Sequence, residues 1–473
     1  MGHNNLSRRN FLKQASCGAM GTTTLFSTLA NLMATNQMLA SQPAETTNGD
    51  YKALVCILLA GGNDSYNMLV PRGNDEYAEY ALTRSDLALL QNEILPINPL
   101  TSTGKEFGIH PSMAGVQQMF EAENLAFLSN VGTLIEPIAN RDEYTSGLKN
   151  LPLGLFSHSD QIQQWQTATP QSREAIGWGG RMADILQSGN TNQSISMNIS
   201  LSGRNVFQAG NTVLEYSISE KGIEGIERMN TNLADSGFLN SLRDDGVHDM
   251  ASKMYSNIFK NTLGDLTTSS LDAFEEFKTA IDGVEEFDTN FSTFSASQKL
   301  KMIAKTIAAK DSLGMNRQTF FVTIGGWDHH DEVLDNQLYL LGVVNNAIKE
   351  FFDALTEIGM DDKVTLFTVS DFARTLTSNG NGSDHAWGGN SIVAGGAVKG
   401  KEIYGTFPEL YVDNNPQFVG NRGSVIPTTA ADLYFAELAL WFGISPNDLN
   451  LVFPNLTNFY SPGSSSPPLG FLL

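Results

Sequence analysis

The sequence predicts an α/β protein with a mostly parallel central sheet flanked by helices. The run from Lys52 to Ala60 is apolar almost throughout and stops at Gly61-Gly62, with none of the alternation that a strand open to water on one face would show. Shorter apolar runs follow at Leu125–Val131, Ile195–Leu201, Thr319–Ile324, Lys363–Val369 and Ser391–Ala394, several ending in polar or glycine-rich turns. Helical stretches lie between them, and strands alternating with helices build a parallel sheet covered on both faces.

The expected helices are Ser112–Phe120, Asp160–Ala168, Trp178–Gln187, Ser297–Leu313, Asp331–Glu357 and Thr428–Phe442. Residues 203–293 break the rhythm: they are polar, acidic and without a clear buried strand, as in a helical insertion or lid. Residues 461–473 are rich in Pro, Ser and Gly and read as a surface strap or loose tail. No internal repeat is seen.

The amino terminus reads Ser7-Arg8-Arg9-Asn10-Phe11-Leu12-Lys13, then a stretch from Cys17 to Met33 rich in Gly, Ala, Thr and Leu. A charged segment followed by a mildly apolar one is the pattern of a twin-arginine export signal. Its glycines and Thr22 to Thr24 make it too polar to rest as a spanning helix, which takes roughly 20 mostly apolar residues. Residues 1–45 are therefore expected to be signal and linker, cut between Ala34 and Ala44. The twin-arginine machinery would be a partner, and the periplasm or the exterior the destination. No later segment has the purity of a membrane anchor.

Only Cys17 and Cys56 occur, so the mature chain has no internal disulfide and must rely on a packed core. The net charge is -22, and loss of Arg8, Arg9 and Lys13 with the signal makes it more negative still. Such a field repels nucleic acid and anionic lipid.

In open α/β sheets ligands bind beyond the carboxyl ends of the strands. Those ends carry Asn63-Asp64-Ser65, Asp328-His329-His330-Asp331, and Ser370-Asp371-Phe372-Ala373-Arg374, with Asp384-His385 shortly beyond. Of the seven histidines, His158, His329, His330 and His385 lie in these turns or in Ser157-His158-Ser159-Asp160. Aspartate and imidazole together suit zinc, manganese or a similar divalent ion. Each piece also has a plain structural use: Asp64 as a turn or capping residue, Asp328 to Asp331 as a cap on the long helix that follows. Ser157 stands before a helical stretch, where a helix amino terminus favours a developing anion, so it is the expected nucleophile, the helix N-cap, or both. Arg374 could clamp an anionic substrate oxygen through its planar fork or pair with one of the many carboxylates.

Taken together, Leu58-Leu59-Ala60-Gly61-Gly62-Asn63-Asp64, Ile109-His110-Pro111, Ser157-His158-Ser159-Asp160-Gln161, Gly177-Trp178-Gly179-Gly180-Arg181, Gly325-Gly326-Trp327-Asp328-His329-His330, Ser370-Asp371-Phe372-Ala373-Arg374-Thr375 and Asp384-His385 resemble a family of twin-arginine-exported bacterial proteins, domain of unknown function 1501. That family is related to the alkaline phosphatase and sulfatase superfamily. The resemblance spans nearly the whole mature chain and implies an alkaline-phosphatase-like domain over 46–473 with a two-metal centre. Carried over by position, Asp64, Ser157, Asp328, His330, Asp371 and His385 take its roles. Phe372 stands where the superfamily usually has a histidine, so a second ion would need His158, His329 or Asp384, or the site holds one ion. No Cys- or Ser-led motif with Pro and Arg marks a formylglycine sulfatase, and no Gly-x-Ser-x-Gly elbow marks a metal-free serine hydrolase. The implied activity is hydrolysis of a small or polymeric phosphate or sulfate ester. The competing expectation is a non-catalytic secreted protein with a structural ion, serving surface assembly or polymer binding.

Overall fold

In a computed structural model the described residues are 50–223 and 258–472, together with 245–247, 249, 250 and 253. The export signal expected over residues 1–45 lies outside them.

Among the described residues nine strands form the main sheet. In chain order they are β1 (Lys52–Ala60), β2 (Leu125–Gly132), β3 (Asn198–Ser200), β4 (Tyr216–Ser217), β5 (Arg317–Gly325), β6 (Val364–Ser370), β7 (Gly389–Ala394), β8 (Ile403–Gly405) and β9 (Thr429–Ala430). Across the sheet the order is β8-β2-β7-β6-β1-β5-β3-β4, with β9 also on β2. β1 pairs in parallel with β5 and β6, and β5 with β3. β7 runs antiparallel to both of its neighbours, β6 and β2. The mostly parallel sheet expected from the sequence is therefore the one observed.

β1 shows why its sequence lacks alternation. Ala53, Val55, Ile57 and Leu59 enter one apolar cluster, while Leu54, Cys56 and Leu58 enter a second on the opposite face. Successive strand residues point to opposite faces, so a strand with a core on each side must be apolar at every position. The first cluster is closed by helices α2 (Ala114–Glu121), α6 (Ser295–Ala308) and α7 (Val333–Glu357), the second by α4 (Trp178–Leu186) and α8 (Ala431–Phe442). α1 (Asn74–Arg84) and α3 (His158–Thr167) flank the carboxyl end of the sheet's centre, and α5 is Ile258–Asp282. Among the described residues no helix is long and apolar enough to cross a membrane.

Differences from the sequence reading have local causes. Of the expected run Ile195–Leu201 only Asn198–Ser200 is strand, because its sole long neighbour is β5 and the side chain of Asn190 closes the far end. Within 203–293 the described parts include β4, which extends the sheet edge, and α5, whose Ala273 and Phe277 enter the core. Much of the stretch between them lies outside the described residues.

The carboxyl-terminal segment is anchored. Phe471 and Leu472 are buried in the second cluster. The backbone N–H groups of Leu469, Gly470 and Leu472 donate to the buried Glu437 carboxylate at 2.7, 2.6 and 2.7 Å. Glu437→Ala leaves those donors unpaired and should cost on the order of 2 kcal/mol or more, with carboxypeptidase trimming of the last dozen residues as a second readout. At the other end of β1, Gly61 has φ +122, and a Cβ there would lie 2.5 Å from the amide nitrogen of Asp328. Gly61→Ala should therefore lower the melting temperature sharply, whereas Gly325→Ala, with nothing within 4 Å of its added carbon, should be far milder.

Candidate metal centre

Three neighbouring strands, β5, β1 and β6, end side by side, and the turns beyond them meet. The tightness comes from glycine: Gly61 lets the turn after β1 touch Asp328, and a Cβ on Gly62 (φ +87) would strike the Phe372 ring at 2.5 Å. The Gly61 amide donates to Asp371 Oδ1 at 3.1 Å, joining the turns after β1 and β6.

Against these turns α3 brings His158. Its Nδ1 lies 2.6 Å from Asp371 Oδ2, an acceptor, so Nδ1 carries a proton and the neutral form of the ring presents its lone pair on Nε2. His385, in the loop entering β7, has Nδ1 2.8 Å from the carbonyl of Phe156, which can only accept. Its Nε2 is therefore also a bare lone pair. The two Nε2 atoms face one another at 3.1 Å. Asp328 completes the group, with Oδ2 3.5 Å from His158 Nε2 and Oδ1 3.4 Å from His385 Nε2. One donor atom from each of these three residues lies within 4.8 Å of the others.

Lone pairs and a carboxylate in such proximity repel unless a proton or a metal ion lies among them. Donors about 2.0–2.1 Å from a tetrahedral zinc sit roughly 3.3–3.4 Å apart, and the observed separations of 3.1, 3.5 and 3.4 Å lie near that, with Asp328 turning a different oxygen to each imidazole. The second nitrogen of each imidazole is held by a carboxylate or a carbonyl, the usual support of a metal-ligating histidine. The donor set, two imidazoles and a carboxylate, is of a kind that could hold a divalent ion.

His330 stands beside this group. Its Nε2 is 3.0 Å from His385 Nε2 and 3.1 Å from Asp328 Oδ1, and its Nδ1 is 3.4 Å from Asp384 Oδ1. Phe372 packs on the rings of His158 and His385 at centroid distances of 4.7 and 4.5 Å. It serves the site as a wall, so position 372 supplies no ligand. His329 is buried on the inner side of its turn, near Trp327.

Protonation follows from burial and neighbours. Burial lowers the pKa of His385, partly offset by its bond to Phe156, and so favours the neutral ring a metal needs. Burial works to raise the pKa of Asp328, but the bond and charge of Arg374, together with the neighbouring imidazoles of His330 and His158, outweigh it and hold the carboxyl below its usual range. Burial raises Asp371 despite the His158 bond.

Three of the expected site residues are held by internal partners, and a fourth, Ser157, takes one of its two expected places, that of helix N-cap. Asp64 is wholly buried and bonded to the Arg84 guanidinium at 2.5 Å, so its charge is already neutralised. Asp371 spends its oxygens on the Gly61 amide and on His158, acting as the support of a ligand. Arg374 is wholly buried: Nε donates to Gly62 O, Nη1 to Ser383 O, and Nη2 to Gly61 O and Asp328 Oδ1. Four of its five N–H groups are spent on these oxygens, and the fifth, on Nη1, faces His330 Nε2 at 3.5 Å, so the buried guanidinium is poorly placed to clamp a substrate. Ser157 is the N-cap residue of α3, and its Oγ lies 3.2 Å from Ser159 Oγ. Among the described residues no bond joins it to the imidazoles.

Sequence reasoning did not reach Phe156, whose contribution is a carbonyl and so leaves no side-chain signal. Its φ of +70 is uncommon for a bulky residue and marks a backbone held by its surroundings, including the bond from Phe156 N to Gln161 Oε1 at 2.6 Å.

No curated protein matches the chain. Among solved structures, Ps i-CgsB in complex with k-i-k-neocarrahexaose is 11% identical with a TM-score of 0.33, covering 87% of this chain and 77% of its own. A structure described under the metabolism of multiple glycosaminoglycans by Bacteroides thetaiotaomicron is 9% identical with a TM-score of 0.33, covering 84% and 73%. Thermus thermophilus alkaline phosphatase is 12% identical with a TM-score of 0.26, covering 72% and 62%. The family described as Protein of unknown function (DUF1501) matches residues 51–451, nearly all of the sheet and every turn of the site, and the chain belongs to that family.

Proposed function

We propose that this chain is an exported metal-dependent hydrolase of phosphate or sulfate esters that works with one divalent ion, zinc by preference, held by His158, Asp328 and His385. The observation that carries the metal is the face-to-face approach of two Nε2 lone pairs at 3.1 Å beside a carboxylate. The ester class follows the sequence resemblance. When bound, the ion would polarise the ester and make a nearby hydroxyl or water more acidic.

The chain's own groups do the rest. Asp371 and the Phe156 carbonyl fix the tautomers of the two imidazoles. Arg374 holds Asp328 in place and keeps it ionised. Asp328 and His330 are about half exposed, so a substrate reaches this side of the group from solvent. Ser157 is the nucleophile in this reading: it adjoins His158 at the start of α3, and to attack it must leave Ser159 and the Asp160 carboxylate. Export of the folded chain would let the ion be loaded beforehand.

A second reading keeps the ion and drops the chemistry. What favours it is that Asp64, Asp371 and Arg374, the expected further ligands and anion clamp, are all committed to internal partners.

Metal analysis of the mature chain should find one equivalent of zinc, lost in His385→Ala. At zinc a hundredfold above its Kd, the added stability is about 2.7 kcal/mol, read as a thermal shift that a chelator reverses. Because burial keeps His385 neutral below the ordinary imidazole range, that shift should persist at neutral pH. It should vanish as acid drives the ring through its lowered pKa. Ser157→Ala should abolish hydrolysis of para-nitrophenyl phosphate or sulfate with zinc retained. A wild type that holds zinc and turns over neither ester, nor the corresponding diester, would establish the second reading, and a wild type without zinc would end both.

A further inference from the structure

The burial of Arg374 leaves open what meets an anionic substrate. The chain carries 51 acidic against 29 basic residues, so an anion approaches against the field of the whole molecule. It needs a local cation at the mouth of the site, and one is built there from a distant part of the sequence.

Phe418–Val419 and Ser424–Val425 pair as a short hairpin, and Arg422 lies in its turn. The turn is fastened to the segment just after Arg374: Thr377 donates through both its amide and its hydroxyl to the Arg422 carbonyl at 3.1 and 3.2 Å. Leu376 donates to the Gly423 carbonyl at 3.2 Å. Gly423 has φ +74 and packs its α-carbon face on Leu376, so the turn is held in one shape. From it the Arg422 side chain, 44% exposed, reaches Asp384 Oδ2 through Nη1. The other oxygen of Asp384 takes Asn379 Nδ2 at 3.2 Å and faces His330 Nδ1 at 3.4 Å.

Asp384 is therefore a spacer between the imidazole group and an exposed guanidinium. Two contacts of about 3 Å plus the width of a carboxylate put that guanidinium at up to roughly 8 Å from the His330 ring. This is too far to touch the reacting ester oxygen, and about the separation of two charges across one six-membered ring. Asn379 keeps Asp384 partnered if Arg422 turns to a ligand.

We propose that Arg422 is the recognition residue of this site for substrates carrying a second negative group, a carboxylate or sulfate one ring's width from the ester. The proposal rests on the reading of His158, Asp328 and His385 as a metal centre. It predicts discrimination between mono- and dianionic ligands, which a mere surface ion pair does not give.

The test is calorimetric binding of para-sulfobenzoate and of benzenesulfonate to the zinc-loaded chain, so that no turnover is needed. The wild type should bind the dianion roughly tenfold more tightly, as a charge-assisted contact gives. Arg422→Gln should lose that preference with zinc content and zinc-induced thermal shift unchanged, and Arg422→Lys should recover part of it. Equal binding of both ligands by the wild type, or a preference retained in Arg422→Gln, overturns the proposal. A wild type without zinc overturns it through the metal centre itself, and metal analysis shows this before any ligand is added.

Discussion

One buried guanidinium sets the geometry of everything else. Arg374 bonds the carbonyls of Gly61 and Gly62 after β1, the carbonyl of Trp327 and the carboxylate of Asp328 after β5, and the carbonyl of Ser383 on the way to His385. Its Nη1 also lies 3.5 Å from His330 Nε2. A full charge sits at no exposure because its donors meet oxygens, most of them carbonyls that would themselves be costly to bury unpaired. The same bonds fix the distances between turns that belong to different strands. Position 374 therefore decides where Asp328 points and how near His385 can come.

That arrangement is what favours one ion in the centre proposed above. In the fully buried layer the negative groups are already engaged: Asp64 Oδ2 has Arg84, though its Oδ1 is unpaired, and Asp371 has the Gly61 amide and His158. The groups that remain for an ion are the partly exposed Asp328 and the two imidazoles whose other nitrogens are spoken for. Phe372 adds an apolar wall against both rings, removing water from one side and strengthening the field at the facing nitrogens.

The sheet was legible in the sequence because burial on both faces leaves an unmistakable pattern, and β1, β2, β5 and β6 all lie within two residues of their expected limits. The short strands Tyr216–Ser217 and Ile403–Gly405 were not, since a two- or three-residue edge pairing carries no periodicity. At the site, the clustering of His158, Asp328, His330, Asp371, Arg374 and His385 followed from their places at strand ends and loop junctions. Their division into donors, supports and clamps did not, because it depends on which oxygen each nitrogen meets. Asp64 illustrates the limit: nothing near it in sequence announces that Arg84, twenty positions on at the end of α1, will return to cover it.

β7 runs against its neighbours, so its beginning, not its end, lies at the rim where the parallel strands finish. The peptide arriving at that strand therefore shares a rim with peptides departing from the others, and His385 reaches the group from four residues ahead of Gly389. A search confined to residues downstream of strands would pass over this imidazole. Reversing one ribbon in the weave lets the protein recruit a ligand from the chain ahead of a strand as well as from the chain behind one.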